Sequence, residues 1–459
     1  MIYILFIVSI FSYVFAPESY SYLFCSFELG LFIISVSFFL KKIIIGGNLV
    51  NFHVFFIISY FFVNYVYPIF IYPIDPEYFF MFSFEFNHNN IPRGLALCQV
   101  AIVSYMIGVL RYRKNEAKTQ KSYNSFINIR LLTFLKFLLI VVTLYFIYIV
   151  YSQSNSQDVE AMIDHITVSI YMSILGIYLL LNCEFYKTNI FQNFKSFISH
   201  NTLIIISILL VSYFSLWYGD RGPVIQIGLM TLFVYSIYVN KIALRVIILL
   251  VAVGFVVMTF VSSTRGSENN LRNSNFSKTF TEGIDAFSTF TSLWDYGMDF
   301  IINSRSTYVA FEIVQENGFL YGKSYVPYLF VPVPGLPVLV TELLFNTSPE
   351  ELSTARIISN KEGIYDWGLG TNSVGDIYMN FGVPGVITLF LFFGFFIRWV
   401  ELGESLYLKI AYLTTMSLAV YYPRASLLTS FDIVRTIIIL WILFKLFNKN
   451  KFKNENIIY

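Results

Sequence analysis

Charged residues are scarce in this chain. Only 13% of its 459 residues are Asp, Glu, Lys or Arg, whereas 57% are hydrophobic. A soluble domain carries about 25% charged residues, which cover its surface in water. The scarcity therefore excludes an ordinary soluble globular protein. The net charge of +2 comes without a basic stripe, so we expect no nucleic-acid partner.

Cysteine and the common cofactor motifs are also scarce or absent. Cys25, Cys98 and Cys183 lie in or beside apolar runs and lack metal-like spacing, so we expect small buried side chains. The chain has no Asp-x-Asp, no phosphate-binding Gly-x-x-x-x-Gly-Lys-Ser/Thr and no dinucleotide fingerprint. These absences predict a protein without a metal-bound sugar nucleotide, without a metal site and without a cofactor.

Long apolar runs dominate the rest of the chain. A helix needs about 20 apolar residues to cross a bilayer. The candidate spans are about 2–16, 20–40, 53–72, 93–110, 131–151, 165–182, 202–218, 222–240, 246–262, 374–397, 405–421 and 427–446. The sequence therefore predicts an all-α fold, a polytopic membrane bundle of about twelve transmembrane helices that forms one domain over residues 1–459.

The orientation follows from the short loops, because Lys and Arg between membrane helices stay on the cytoplasmic side. With the N-terminus inside, nineteen Lys and Arg fall on the inner side. The short outer loops then hold only Arg93, Arg221 and Arg424. This distribution predicts that both termini are cytoplasmic.

One predicted outer segment, about residues 263–373, is far longer than an ordinary connection, and such segments usually carry function. Residues 280–315 have the pattern of one or two amphipathic helices, and a proline-rich stretch follows at 331–337. The sequence Ser-Pro-Glu-Glu at 348–351 predicts the start of a helix that ends near Gly363. We expect this large external loop to fold back onto the membrane.

Arginine is concentrated on the predicted outer side. That side has seven Arg and three Lys, whereas the inner side has five Arg and fourteen Lys. The planar guanidinium can bind two phosphate oxygens at once, which an ammonium cannot do as rigidly. Arg93, Arg221, Arg265 and Arg424 should lie near the outer headgroups. They could bind a lipid-linked diphosphate, or they could simply extend to phospholipid headgroups.

Several short sequence motifs lie in or beside the predicted outer segments. The sequence Gly-Asp-Arg-Gly-Pro at 219–223 opens a helix, and Ser-Thr-Arg-Gly at 263–266 ends one. Tyr-Gly-Lys-Ser at 321–324 precedes the proline-rich stretch, and Gly-Leu-Gly-Thr-Asn-Ser at 368–373 leads to Asp376. In these motifs the chain resembles the Wzy-type O-antigen and capsular polysaccharide repeat-unit polymerases, which often have Glu at the position of Asp376.

The resemblance implies a membrane glycosyltransferase of O-antigen or capsule biosynthesis in the bacterial cytoplasmic (inner) membrane. Its donor and acceptor would be oligosaccharide units on undecaprenyl diphosphate at the outer face. The growing glycan would move as a block onto a new lipid-linked unit, and a flippase and a chain-length regulator would be candidate partners. The alternatives are an O-antigen ligase and a lipid-linked oligosaccharide flippase, although a flippase usually has more charge inside its bundle.

The reaction suggests roles for the charged residues. Arg221 and Arg265 should stabilise the leaving diphosphate without a metal, because fixed cations offset the charge that builds as the anomeric bond breaks. Asp376 is our first candidate to accept the proton of the acceptor hydroxyl, or it caps a helix, and His165 is the second. The candidate substrate-binding residues are the other outer cations, Arg93, Arg305, Lys323, Arg356 and Arg424.

The orientation can be tested by cysteine labelling in cells whose outer membrane is permeabilised. We expect an impermeant thiol reagent to modify Ser267→Cys, in the predicted external loop, and to leave Ser122→Cys, in a predicted cytoplasmic loop, unmodified. Modification of Ser122→Cys alone would show that the assigned orientation is reversed.

Overall fold

A computed structural model describes residues 1–44, 49–83, 86–112, 129–152, 160–186, 194–217, 221–243, 245–250, 252–254, 292, 294–333, 335–362, 370–428 and 432–447. Within these ranges every regular element is a helix and there is no strand, so the predicted all-α class is confirmed. The first nine helices are α1 Ile2–Val14, α2 Tyr22–Ile43, α3 Phe52–Asn64, α4 Asn90–Arg111, α5 Ile129–Ser152, α6 Glu160–Tyr186, α7 Phe194–His200, α8 Thr202–Trp217 and α9 Gly222–Tyr238.

The second half of the chain contains both short and long helices. They are α10 Met298–Ile301, α11 Ser304–Asn317, α12 Val326–Phe330, α13 Leu336–Phe345, α14 Thr354–Glu362, α15 Ser373–Leu402, α16 Leu406–Ser417 and α17 Asp432–Phe447. The described residues form two compact units. The first draws on Met1–Glu116, Gly297–Leu402 and Leu418–Asp432, and the second on Ala117–Tyr296, Gly403–Ser417 and Ile433–Tyr459.

Five described helices are long and apolar enough to cross a membrane. They are Tyr22–Ile43, Asn90–Arg111, Ile129–Val150, Thr167–Tyr186 and Ser373–Leu402, and each coincides with a predicted span. Most of the other predicted spans contain apolar helices of 10–17 residues. The total of about twelve spans and the external position of residues 263–373 therefore stay predictions.

The ends of the early helices follow from the local sequence. Ser21 caps α2 by accepting a hydrogen bond from the backbone N–H of Phe24, and Asn51 caps α3 in the same way for Val54. Lys41 and Lys42 lie in the last turn of α2, where cations are favoured by the helix dipole. These short polar stretches separate apolar runs and so define separate helices.

The first unit depends on very close packing between α4 and α15. A Cβ atom on Gly108 would lie 2.0 Å from the carbonyl oxygen of Leu391, and one on Gly394 would lie 2.1 Å from that of Tyr105. Each helix therefore presents a glycine to the backbone of the other. Without side chains at these positions the two helices can approach closely, as small residues allow in membrane bundles.

A kink divides α15 at Gly382, whose φ of +65° favours glycine, and Pro384 follows two residues later. Proline lacks an N–H, so it cannot satisfy the carbonyl of Asn380 four residues earlier. The backbone N–H of Tyr321 donates to that carbonyl at 3.1 Å, and the N–H of Leu320 donates to the carbonyl of Met379 at 2.9 Å. The predicted external loop thus completes the hydrogen bonding of a membrane helix.

Helix α11 is the described element of that loop that packs most extensively against the first unit. It contacts α4, α14 and α15. Gly375 leaves room for α11, because a Cβ there would lie 3.0 Å from the carbonyl oxygen of Ser306. Lys361 of α14 forms ion pairs with Glu312 at 2.6 Å and with Glu316 at 3.0 Å on α11. The helices α10 and α11 lie largely within the stretch 280–315 that is predicted to be helical, and residues 280–291 of that stretch lie outside the described residues.

The predicted helix start at Ser348 is wrong. The hydroxyl of Ser348 does accept a hydrogen bond from the N–H of Glu351, but the residues that follow form turns. The helix begins at Thr354, where the hydroxyl of Ser353 accepts from the N–H of Arg356. Two capping serines compete within six residues, and the second one precedes the helix that packs against α11.

The α4–α15 contact can be tested with matched glycine substitutions. Gly108→Ala and Gly394→Ala place a methyl group against a backbone carbonyl, which should cost about 1–3 kcal/mol of stability through overpacking. Gly30→Ala in α2 is the control, because a Cβ there would meet nothing within 4 Å. We expect lower unfolding temperatures for the first two purified variants and an equal or higher value for Gly30→Ala, because alanine favours a helix over glycine. Equal unfolding temperatures for all three would contradict the packing described.

Candidate functional site

The N-terminal end of α15 carries a buried carboxylate, Asp376, whose exposed fraction is 1%. Tyr325 donates its hydroxyl to Oδ2 at 2.9 Å, and Thr354 donates its hydroxyl to Oδ1 at 2.7 Å. Ser426 also hydrogen-bonds the carboxylate, and the Thr354 hydroxyl lies 3.1 Å from that of Thr371. Burial and the nearby carboxylate raise the pKa of Tyr325 well above its usual value, so the phenol remains a donor.

Asparagine side chains continue this polar cluster on both sides of Asp376. Asn380, one turn later, exchanges hydrogen bonds with the hydroxyl of Ser324 and accepts another from the backbone N–H of Gly322. Asn372 donates to the side chain of Asn64 on α3 at 2.9 Å. The three asparagines and Ser324 are fully buried or nearly so, and together they join the loop, α3 and α15.

Three of the predicted substrate-binding arginines contact aromatic rings around α10 and α11. Arg93 lies over Phe311 of α11 and over Tyr13, and Arg424 lies over Phe300 of α10 and over Tyr421. Arg305, in the first turn of α11, is buried and lies over Phe86. Cation–π contacts of this kind fix the plane of a guanidinium.

The exposure of these arginines differs. Arg93 is exposed at the start of α4, Arg424 is half-buried, and Arg305 is 3% exposed. Arg93 is therefore the most accessible cation of the three. The structure thus brings three of the five candidate binding residues to one helical segment of the first unit.

The two other candidate binding residues lie further along the loop. Lys323 is exposed in the short 3-10 helix that leads to Tyr325, and Arg356 is half-buried near the start of α14. Each therefore lies two residues from a residue that donates a hydrogen bond to Asp376.

The predicted catalytic residues are divided between the two units. Asp376 belongs to the first, whereas Arg221 and His165 belong to the second. Arg221 is buried directly before α9, and His165 lies in α6 with its side chain outside the described set. Arg265 lies outside the described residues. Within the described ranges, no three His, Cys, Asp or Glu side chains are close enough together to hold a metal ion.

A family model for O-antigen polysaccharide polymerase Wzy matches residues 1–451. The chain belongs to this family. No curated protein and no solved structure matches the chain. Members of the Wzy family are polysaccharide polymerases, and the five long apolar helices agree with a multi-pass membrane protein.

Sequence reasoning did not find the partners of Asp376 in this Wzy family member. Asn372 lies in the glycine-rich motif, and Asn380 follows Asp376 by four residues, which places the two side chains on one helix face. That spacing could have indicated that Asn380 lies beside Asp376. No local pattern could have indicated Tyr325 and Thr354, because they are separated from Asp376 by 51 and 22 residues.

The role of the Asp376 cluster can be tested by removing one hydroxyl. Tyr325→Phe takes a donor from the buried carboxylate and leaves the ring in place, which should cost about 1–3 kcal/mol locally. We expect faster hydrogen–deuterium exchange and faster proteolysis within residues 326–353. Tyr321→Phe is the control, because that side chain is 78% exposed. Equal exchange rates in both variants would show that Tyr325 does not hold this segment.

Proposed function

We propose that this protein joins oligosaccharide repeat units carried on undecaprenyl diphosphate at the outer face of the bacterial cytoplasmic membrane. The growing glycan leaves its lipid diphosphate and moves as a block onto a single unit on a second lipid. The main support is the match to the O-antigen polysaccharide polymerase family over residues 1–451. The product would be O-antigen or a related capsular glycan.

The proposed reaction forms one glycosidic bond for each bond that it breaks. A hydroxyl oxygen of the acceptor unit attacks the anomeric carbon of the growing chain, and the bond from that carbon to the diphosphate breaks. The diphosphate keeps the electron pair and leaves on its lipid, while the hydroxyl proton passes to a base. No external energy source is needed, because the activated diphosphate linkage supplies the driving force.

Negative charge grows on the leaving diphosphate, so fixed cations would lower the barrier. We assign this role to Arg221 and Arg265 without a metal ion. Arg221 is buried directly before α9, which begins with Gly222 and Pro223. Arginine suits the role because it stays protonated and can bind two oxygens at once.

The arginines around α10 and α11 would bind other parts of the lipid-linked substrates. Exposed Arg93 is the first candidate, since aromatic rings orient its guanidinium and its exposure leaves it accessible to an anion. Positive charge in the same unit would also come from Arg305, Arg424, Lys323 and Arg356. These cations would favour binding of the phosphates that the donor and the acceptor both carry.

The surroundings of Asp376 favour a positioning role over proton transfer. Its two carboxylate oxygens accept hydrogen bonds from Tyr325 and Thr354, and the group is 1% exposed. A base must reach the hydroxyl that it deprotonates, and this carboxylate is occupied by protein hydroxyls. Of the two candidate bases identified in the sequence, we therefore assign the proton to His165 and the positioning of the loop to Asp376.

Substitution of the proposed diphosphate ligands tests the reaction in a strain that lacks the chromosomal gene. Arg221→Lys and Arg265→Lys keep the positive charge but lose the planar guanidinium that can bind two oxygens at once. Removal of one such interaction typically raises the barrier by about 3 kcal/mol, or lowers the rate roughly a hundredfold. We expect surface polysaccharide on a gel to stop at single-unit product in both variants, with normal amounts of protein in the membrane.

The matched control is Arg111→Lys, at the predicted cytoplasmic end of α4, which should restore full-length polymer. Full-length polymer from the Lys and the Ala variants of both Arg221 and Arg265 would eliminate the assignment. A deletion strain that lacks even single-unit product would point to a flippase instead of a polymerase.

A further inference from the structure

The segment between Tyr325 and Thr354 is held at both ends by one side chain. Tyr325 precedes the segment, Thr354 follows it, and both donate hydrogen bonds to the carboxylate of Asp376. One buried side chain thus fixes both ends of a segment of 28 residues, 326–353. This segment contains α12 and α13, which pack against each other as a short helical hairpin.

The exposed surface of this hairpin is mainly apolar. Glu342 is the only charged residue between Ser324 and Pro349. The exposed large side chains are Leu329, Val333, Val338, Leu339, Leu343 and Leu344, and the fractions reach 76% for Leu343 and 63% for Leu344. Such a surface is unfavourable in water, and a contiguous apolar surface usually has a partner.

The position of the hairpin along the chain suggests which partner. Just before it, Leu320 and Tyr321 are hydrogen-bonded to the carbonyls of Met379 and Asn380 in the membrane helix α15. The apolar part of α15 continues from there. If α15 crosses the bilayer, the hairpin would therefore begin near the point where this helix enters the hydrocarbon, and the exposed leucines would lie at the edge of the bilayer.

The length of α13 fits an element that enters one leaflet. Ten residues of helix extend about 15 Å, which is roughly half of a 30 Å hydrocarbon core. The hydroxyl of Thr341 is buried and bonds to the carbonyl of Pro337 in its own helix, so it needs no water. Exposed Glu342, near the C-terminal end of α13, would remain at the headgroups.

We propose that the hairpin formed by α12 and α13 inserts its exposed leucines into the outer-leaflet hydrocarbon, with phospholipid acyl chains as its partner. The hairpin is a membrane-dipping anchor of the loop, and Asp376 is the positioning residue that fixes its base. The inference depends on the membrane location of the chain and is independent of the reaction proposed above.

Depth-dependent fluorescence quenching tests this assignment with the full-length protein in phosphatidylcholine–phosphatidylglycerol nanodiscs. An environment-sensitive nitrobenzoxadiazole probe is attached to Leu343→Cys in α13 or, as the control, to Glu350→Cys in the exposed turn before α14. The native cysteines Cys25, Cys98 and Cys183 are buried, and unsubstituted protein measures their background labelling. We expect 5-doxyl phospholipid to quench the probe at position 343 several-fold more than the probe at 350, and aqueous iodide to do the reverse.

Equal quenching by iodide at the two positions would overturn the proposal, because the hairpin would then lie in water. Protection of position 343 from both quenchers would also overturn it and would indicate that another protein surface, such as a second copy, covers the leucines. Neither outcome depends on polymer synthesis, so failure of this proposal is distinguishable from failure of the proposed function.

Discussion

The close contact between α4 and α15 is the interaction on which the first unit depends. Gly108 and Gly394 allow each helix to approach the backbone of the other, at distances that no side chain would permit. The same two helices contact α11, and Gly375 of α15 leaves room for the backbone of Ser306 and Thr307 in α11. A change in their separation would therefore move Asp376 and the residues hydrogen-bonded to it, as well as the helix contact itself.

A second constraint comes from the bilayer, in which every backbone polar group needs a partner. The kink at Gly382 and the proline at 384 leave carbonyls that α15 cannot satisfy internally, and the N–H groups of Leu320 and Tyr321 satisfy them. The loop is therefore a structural part of the membrane unit. In the proposed function this matters because substrate-binding residues on the loop must be held at a defined depth relative to the lipid carrier.

Apolar runs, capping residues and the family motifs predicted the helical class, the main helices and the family from the sequence. They failed where partners are distant in the chain. The pairing of Tyr325 and Thr354 with Asp376 depends on tertiary packing, and no local pattern reveals it. Ser348 and Ser353 each accept a capping hydrogen bond, so the local sequence does not distinguish them as helix starts. The helix that follows Ser353 is the one that packs against α11. Arg221 was singled out by its glycine–proline turn, and its burial agrees with a defined position.

The proposed function requires that the protein itself forms glycosidic bonds between lipid-linked units. Purified protein in proteoliposomes should be supplied with single units on undecaprenyl diphosphate, extracted from the strain that lacks the gene, and the products should be analysed by mass spectrometry. We expect a series of lipid-linked glycans of two or more units, together with free undecaprenyl diphosphate. Single units that change sides of the bilayer while their length stays constant would contradict it.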